Sequence, residues 1–265
     1  LERASREKAV QGLKRGSYAA LAIYEAGVWQ IQYAPGNRQG ELAYLTFNQR
    51  FSKPTKKVKA AAVSGKGQRY IDFLVPGLMA LGVMNSCLWG VGYLLIEFRM
   101  KKLLRRVIAT PLEPWHFLLS QFATRVGLSG LESILLFAFC YFYFDFAIQG
   151  SVPGFLVLFI SGVFFFSGLG ILIGSRARTT RLGNGLINAI TLPFLVLSGI
   201  FFSYRNFPES IQPVLEQLPL ALMTDGFRGL ANEAWGITAI LPASALLILY
   251  GVVLFVVGLK IFRWH

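Results

Sequence analysis

The chain has 265 residues, 54% of them hydrophobic and 23 of them Phe, more apolar side chain than one soluble core of this length requires. Its formal net charge of +13 would suit a nucleic-acid partner, but 13 of the 26 Lys and Arg fall in residues 1–70, against four acids there, and most others stand in short loops beside apolar stretches. Neither a recognised motif nor a stacking pattern accompanies that charge, which argues against nucleic acid and leaves a solvated face near anionic headgroups.

In chain order, residues 1–67 read as a small extracytoplasmic α/β module with its linker. The pattern predicts an amphipathic helix over Ala4–Lys14, strands over Tyr18–Tyr24 and Trp29–Tyr33, a turn at Ala34-Pro35-Gly36-Asn37 and a second helix over Gly40–Phe51. Lys53–Gly67, rich in Lys, Ala and Gly, reads as the linker, and the chain enters the membrane at Gln68-Arg69-Tyr70. The Gly65-Lys66-Gly67 run lacks the earlier Gly and the hydroxyl residue that a phosphate-cradling loop needs. Leu1 is not an initiator Met and no secretory signal precedes the module, so a sixth span is expected upstream to deliver it across the membrane.

Residues 68–265 form the membrane domain, with spans expected over about 73–96, 117–146, 152–174, 183–202 and 240–259. A hydrocarbon core of about 30 Å needs roughly 20 helical residues. Backbone polar groups in lipid must be satisfied within the segment, and the ten-residue alternation of a barrel is absent, so the class is an all-α polytopic membrane protein: five transmembrane helices in this chain and six in the full protein. Lys and Arg stay on the cytoplasmic side of short connections. Arg99, Lys101, Lys102, Arg105 and Arg106 follow the first span, Arg176, Arg178 and Arg181 the third, and Lys260 and Arg263 the fifth, which places these loops and the C-terminus in the cytoplasm of an inner-membrane protein. The alternate connections then face outward, and so do residues 1–70 despite their charge, because long segments cross largely regardless of it.

After the first span, Met100, Leu103, Leu104, Val107 and Ile108 recur at helical spacing while Arg99, Lys101, Lys102, Arg105 and Arg106 take the other face, predicting one amphipathic helix over about 98–109 that Thr110-Pro111 ends. Two readings stand: adhesion to acidic lipids, or docking of a cytoplasmic partner. Inside the second span, Arg125 and Glu132 are seven apart and share nearly one face, either as pathway groups or as a snorkelling cation and a hydrogen-bonded acid. Gly82, Ser86 and Gly90, and Gly170 with Gly174, have the spacing of close helix packing. Catalysis finds no footing. His116 and His265 are too few for a zinc site, Cys87 and Cys140 lie within spans, and no hydrolase motif is present.

Four stretches resemble the permease subunits of type-2 ABC exporters, which move drugs, lipids or polysaccharides. Arg69-Tyr70-Ile71-Asp72-Phe73-Leu74-Val75-Pro76-Gly77 is similar to the start of that family's second membrane helix. Leu103-Leu104-Arg105-Arg106, followed by Ala109-Thr110-Pro111-Leu112, resembles its coupling segment. Leu197-Ser198-Gly199-Ile200-Phe201-Phe202, then Asn206-Phe207-Pro208, resembles the outer end of its fifth helix. Pro219-Leu220 and Asp225-Gly226-Phe227-Arg228 resemble the outer re-entrant hairpin, about 207–232. Two departures stand out: Lys102 where a small residue is usual before the Leu-Leu pair, and Ser203-Tyr204 where Pro usually follows Phe-Phe.

The resemblance implies a non-enzymatic transport subunit that forms the pathway as a homo- or heterodimer. No cofactor is expected in this chain; ATP and Mg belong to separate cytoplasmic ABC ATPase subunits that engage Arg99, Lys101, Lys102, Leu103, Leu104, Arg105, Arg106, Thr110 and Pro111. Ser198, Gly199, Pro208, Pro219 and Arg228 would form the outer gate or hairpin, and Arg125 and Glu132 remain pathway candidates. The competing reading is a non-transporting membrane anchor that presents the outer module and recruits a cytoplasmic partner.

Overall fold

The computed structural model describes residues 20–25, 28–33, 38–51, 58–62, 70–108, 114–177, 179–201, 207–208 and 210–261. The helix expected over Ala4–Lys14 and the turn at 34–37 lie outside the described residues. Strands β1 (Ala20–Glu25) and β2 (Val28–Tyr33) pair antiparallel with Tyr24 opposite Trp29, and helix α1 (Arg38–Phe51) leads to β3 (Val58–Ala62), which pairs parallel with β2. The stretch read as a linker therefore contains a strand. Val-Lys-Ala-Ala-Ala has little strand propensity of its own, and pairing with β2 supplies what the sequence lacks. Ile31 is buried, and Trp29 meets Tyr24 at 4.9 Å and Phe47 of α1 at 5.5 Å, so one aromatic cluster joins helix to sheet.

The rest is helical, the architecture of an all-α polytopic membrane protein. Helix α2 (Tyr70–Met100) is followed by short α3 (Leu103–Ile108), then α4 (Pro114–Phe144), α5 (Val152–Arg176), α6 (Thr180–Leu197), α7 (Gln212–Glu216), α8 (Pro219–Asn232) and α9 (Ile237–Ile261). Among the described residues four helices are long and apolar enough to cross a membrane: Tyr70–Met100, His116–Phe144, Val152–Arg176 and Ile237–Ile261. The stretch expected to span at 183–202 differs. Its helix α6 begins at Thr180 and ends at Leu197, and Arg181, Asn184 and Asn188 dilute it below the others. It stops there because Ser198 caps the last turn and Gly199 takes φ 73°, a left-handed conformation that favours glycine. Helix α4 ends by the same geometry at Asp145, φ 51°, where the Phe146 amide reaches back to the Cys140 carbonyl.

Helix α5 is the hub, packing broadly along α9 and against α2, α4 and α8. Small residues set these distances. A Cβ at Gly168 would stand 3.1 Å from the Gly251 carbonyl of α9, and one at Gly170 would stand 3.1 Å from both the Cys87 carbonyl and the Gly92 amide of α2. Of the small residues picked out by spacing, Gly170 and Gly174 do meet a neighbouring helix, whereas Gly82 faces open space. Within α2, Leu88–Tyr93 forms a π turn, and its two glycines account for the contacts there: Gly92 meets Gly170, and a methyl at Gly90 would overlap the Arg125 guanidinium.

Candidate functional site: polar clusters at the two ends of helix α2

At the Tyr70 end of α2, the cluster centres on Arg228. Helix α8 starts with Pro219 at its first turn, where a missing amide costs nothing, and buries nearly every later side chain, including Leu220, Met223, Phe227 and Leu230. That burial carries Arg228 inward, to 8% exposure. Its Nε donates to the Phe73 carbonyl at 3.1 Å, and its Nη2 donates to the Gly199 and Ile200 carbonyls at 2.8 and 3.3 Å. The guanidinium carbon lies 3.6 Å over the Phe73 ring centroid, and Asp225 stands 3.6 Å from Nη1. One turn on, Asn232 Nδ2 donates to the Asp72 carbonyl at 2.8 Å.

A buried cation costs several kcal/mol unless compensated, and this one is compensated by backbone carbonyls of two other segments, an aromatic face and a nearby carboxylate. It thereby fastens the start of α2, the chain just past α6, and α8. Ser198 is fully buried and its Oγ donates to the Phe194 carbonyl, while Ile200 packs on Gly77, where a Cβ would come within 3.0 Å of it. Pro208 is exposed, and its carbonyl accepts from the Ile211 amide at 3.1 Å, leading into α7. Of the predicted hairpin residues, Gly199 and Arg228 meet directly; Ser198 stands next to Gly199 as the cap of α6, and Pro219 contributes by starting α8. Phe73 and Asn232 belong to the cluster and were missed. The i, i+4 spacing of Arg228 and Asn232 on one helix face was the available signal.

At the other end, the helix expected over 98–109 is divided. Helix α2 continues to Met100, Lys101 and Lys102 turn the chain, and α3 begins at Leu103. Lys102 takes φ 57°, so the 3.6-residue stripe drawn from Arg99 onward cannot be continuous. Arg99 therefore belongs to the membrane helix, where its Nη1 donates to the Ala177 and Ser175 carbonyls at 3.1 and 3.4 Å. These are carbonyls at the C-terminal end of α5, a place suited to a cation. Leu104 is the buried anchor of α3, packed with Val91, Leu95, Leu118 and Ile171, and Leu103 is half-buried. Lys101, Lys102 and Arg106 are exposed. Glu97 bonds Lys101 Nζ and holds that ammonium above its ordinary pKa. Arg105 lies within α3, and Thr110 and Pro111 lie outside the described residues.

Between the ends, Arg125 and Glu132 do not act as a pair. Arg125 is half-buried, turned onto the Gly90 backbone in the π turn, with no hydrogen-bond partner for its Nε; Glu132 is exposed on the edge of α4. Cys87 and Cys140 are free thiols, and no group of side chains able to hold a metal ion occurs among the described residues.

The geometry is that of a helical membrane domain with a buried clamp at one end of α2 and an exposed basic helix at the other. Residues 5–260 match the profile of the ABC-2 family transporter proteins. The chain is also 26% identical over 163 residues to the inner membrane transport permease YadH of Escherichia coli strain K12, and equally to those of Escherichia coli O157:H7 and Shigella flexneri. That match spans 61% of this chain and 63% of those relatives. With all but the extreme ends of its sequence covered by the profile, the chain belongs to the ABC-2 family of transporter proteins.

Proposed function

We propose that the chain is the membrane-spanning permease subunit of an ATP-driven ABC exporter, working as a dimer whose pathway runs through the membrane and whose energy comes from separate cytoplasmic ATPase subunits. In this reading the C-terminus and α3 are cytoplasmic, residues 1–70 are extracytoplasmic, and the protein resides in the cytoplasmic (inner) membrane. The observation that carries it is α3: a two-turn basic helix set off from α2 by a left-handed Lys102, seated through Leu104, with Lys101, Lys102 and Arg106 facing out. Such a helix takes a push from outside the chain. Leu104 passes the displacement to Val91 in the π turn, and Arg99 passes it to the end of α5. The Arg228 cluster then serves as the outer gate, because opening there must part Arg228 from the Gly199 and Phe73 carbonyls. Arg125, resting on the π turn, lies on the route between them.

The test is purification with the partner. The permease is expected to co-purify with an ATPase whose hydrolysis responds to it, and Arg106→Glu is expected to abolish that response while the permease stays folded. Arg106 is the better probe than Leu104, whose loss would disturb the protein's own packing. Unchanged hydrolysis and unchanged co-purification in Arg106→Glu would reject the coupling role. A cysteine placed at Lys101 that reacts with an impermeant reagent added to intact cells would reject the orientation.

A further inference from the structure

The side of α2 that its neighbours leave open is not apolar. Through the π turn Cys87, Leu88, Val91 and Gly92 are buried, whereas Asn85, Ser86, Trp89, Gly90 and Tyr93 stay at least partly exposed on the other side. Among the described residues neither the Asn85 amide nor the Ser86 hydroxyl has a hydrogen bond, and Trp89 and Tyr93 lie with ring centroids 6.0 Å apart. Over Gly90 rests the Arg125 guanidinium of α4, which a methyl at Gly90 would overlap. Its Nε is enclosed without an acceptor, and no carboxylate or carbonyl of the described residues bonds its terminal nitrogens. Glu132, the single acid of α4, is about 10 Å further along the axis.

Depth decides what can answer that charge. The spans run Tyr70–Met100 and His116–Phe144, so their middles fall at Asn85 and Gly130. Gly90 and Arg125 each lie five residues from the middle toward the α3 end, about 7.5 Å at 1.5 Å per residue, or half of one leaflet's roughly 15 Å of hydrocarbon. A phosphate at the bilayer surface therefore stays about 7.5 Å short of the guanidinium. An apolar helix laid against this face would leave cation, amide and hydroxyl all unanswered. We propose that Arg125 receives the acid group of a hydrophobic organic acid whose body lies on the Trp89 and Tyr93 rings, and that this class of molecule is the cargo. The forked guanidinium fits a carboxylate with two parallel bonds, and the rings offer an apolar surface beside it. The Asn85 amide and Ser86 hydroxyl stand at the middle of the span for a polar group further along the same molecule. That the acid is exported rests on the exporter reading; that it binds does not.

Photolabelling of the full-length protein in phosphatidylcholine nanodiscs tests this, with palmitate carrying a diazirine beside its carboxyl and the matching diazirine hexadecylamine. The palmitate probe is expected to label residues 85–93 and 122–129 in a reaction that plain palmitate suppresses. The amine is expected to label them about ten-fold less, as the loss of one charge-assisted contact implies. Arg125→Gln is expected to lower the suppressible label by the same factor. Gly90→Ala keeps the charge but pushes the guanidinium off the π turn, and is expected to lower the label likewise. Should either variant fail to fold, the comparison of acid with amine on the unaltered protein still decides. Equal labelling by acid and amine, label unchanged in both variants, no label at 85–93, or displacement by phosphatidylglycerol as strong as by palmitate would each overturn the site. In the complex with the ATPase, stimulation by palmitate that survives Arg125→Gln unchanged would reject the site and keep the exporter reading. Binding at Arg125 with no effect of palmitate on hydrolysis would keep the site and reject the acid as cargo.

Discussion

The two ends of α2 use arginine in opposite ways. Arg228 is buried among backbone carbonyls and an aromatic ring, and it arrives there on a helix that is itself almost wholly enclosed. At Met100 the cations of the connection stand in solvent, held to the protein by one buried leucine and by Arg99 at the end of α5. A cluster that satisfies its own charge fixes segments relative to one another, whereas a cluster that leaves its charge in solvent fixes nothing by that charge and, in the reading proposed above, is free to meet a partner.

Breaking the first end should cost most. Arg228→Ala leaves the Phe73, Gly199 and Ile200 carbonyls without that donor and removes the cation from the Phe73 ring. Hydrogen bonds to charged groups contribute about 1.5–3 kcal/mol each, non-additively, so a loss of about 3 kcal/mol is expected in denaturant unfolding in detergent. Arg228→Lys should recover less than half of it, because one ammonium cannot span carbonyls of two segments as the forked guanidinium does. An unfolding midpoint for Arg228→Ala equal to that of the unaltered protein would mean the clamp holds nothing.

The next largest effect sharpens the difference between a packed and an open glycine. Gly170→Leu would drive a side chain into Cys87 and Gly92, at an expected cost of about 1–3 kcal/mol from overpacking. Gly82→Leu, which meets open space, should stay within about 0.5 kcal/mol. The same thermal unfolding experiment on both variants decides it.

How much of this was legible in the sequence depends on whether side chains or backbone carried the information. Long apolar runs marked four of the helices to within a few residues. The end of α6 was not legible, because Ile200 and Phe201 extend the apolar run past Leu197, and a buried non-helical segment is as apolar as a helix. The π turn left no trace in a helix that is apolar on every side, and β3 is strand only through its partner. Arg228 could be named, but its acceptors are backbone carbonyls 155 and 29 positions away, and no residue type announces a carbonyl. Its neighbours on the hairpin were readable by resemblance; its purpose there was not.

At the second end, anchor and contact surface should separate. Leu104→Ala removes a buried side chain and is expected to cost about 2–3 kcal/mol in unfolding. Arg106→Gln, at an exposed position, should change stability by less than about 0.5 kcal/mol yet weaken the ATPase response. If Leu104→Ala matched Arg106→Gln in both measurements, α3 would not be seated as described.

The smallest expected effect comes from the residue that sets α3 apart from α2. Lys102 adopts φ 57°, a conformation that costs an L-residue with a Cβ about 1–2 kcal/mol relative to the right-handed region and costs glycine almost nothing. Its side chain is exposed, so little packing is lost on removing it. Lys102→Gly is therefore expected to stabilise the protein by about 0.5–1 kcal/mol, after the greater entropy of glycine in the unfolded chain is subtracted. The small residue that the resemblance leads one to expect at this place would suit the same turn, since the backbone between α2 and α3 is left-handed at Lys102. Lysine keeps the turn at some cost in stability and adds a charge to the exposed face. If Lys102→Gly raises the unfolding midpoint but weakens the ATPase response, that charge is part of the contact surface; if it raises the midpoint and leaves the response unchanged, the contact begins at Arg106.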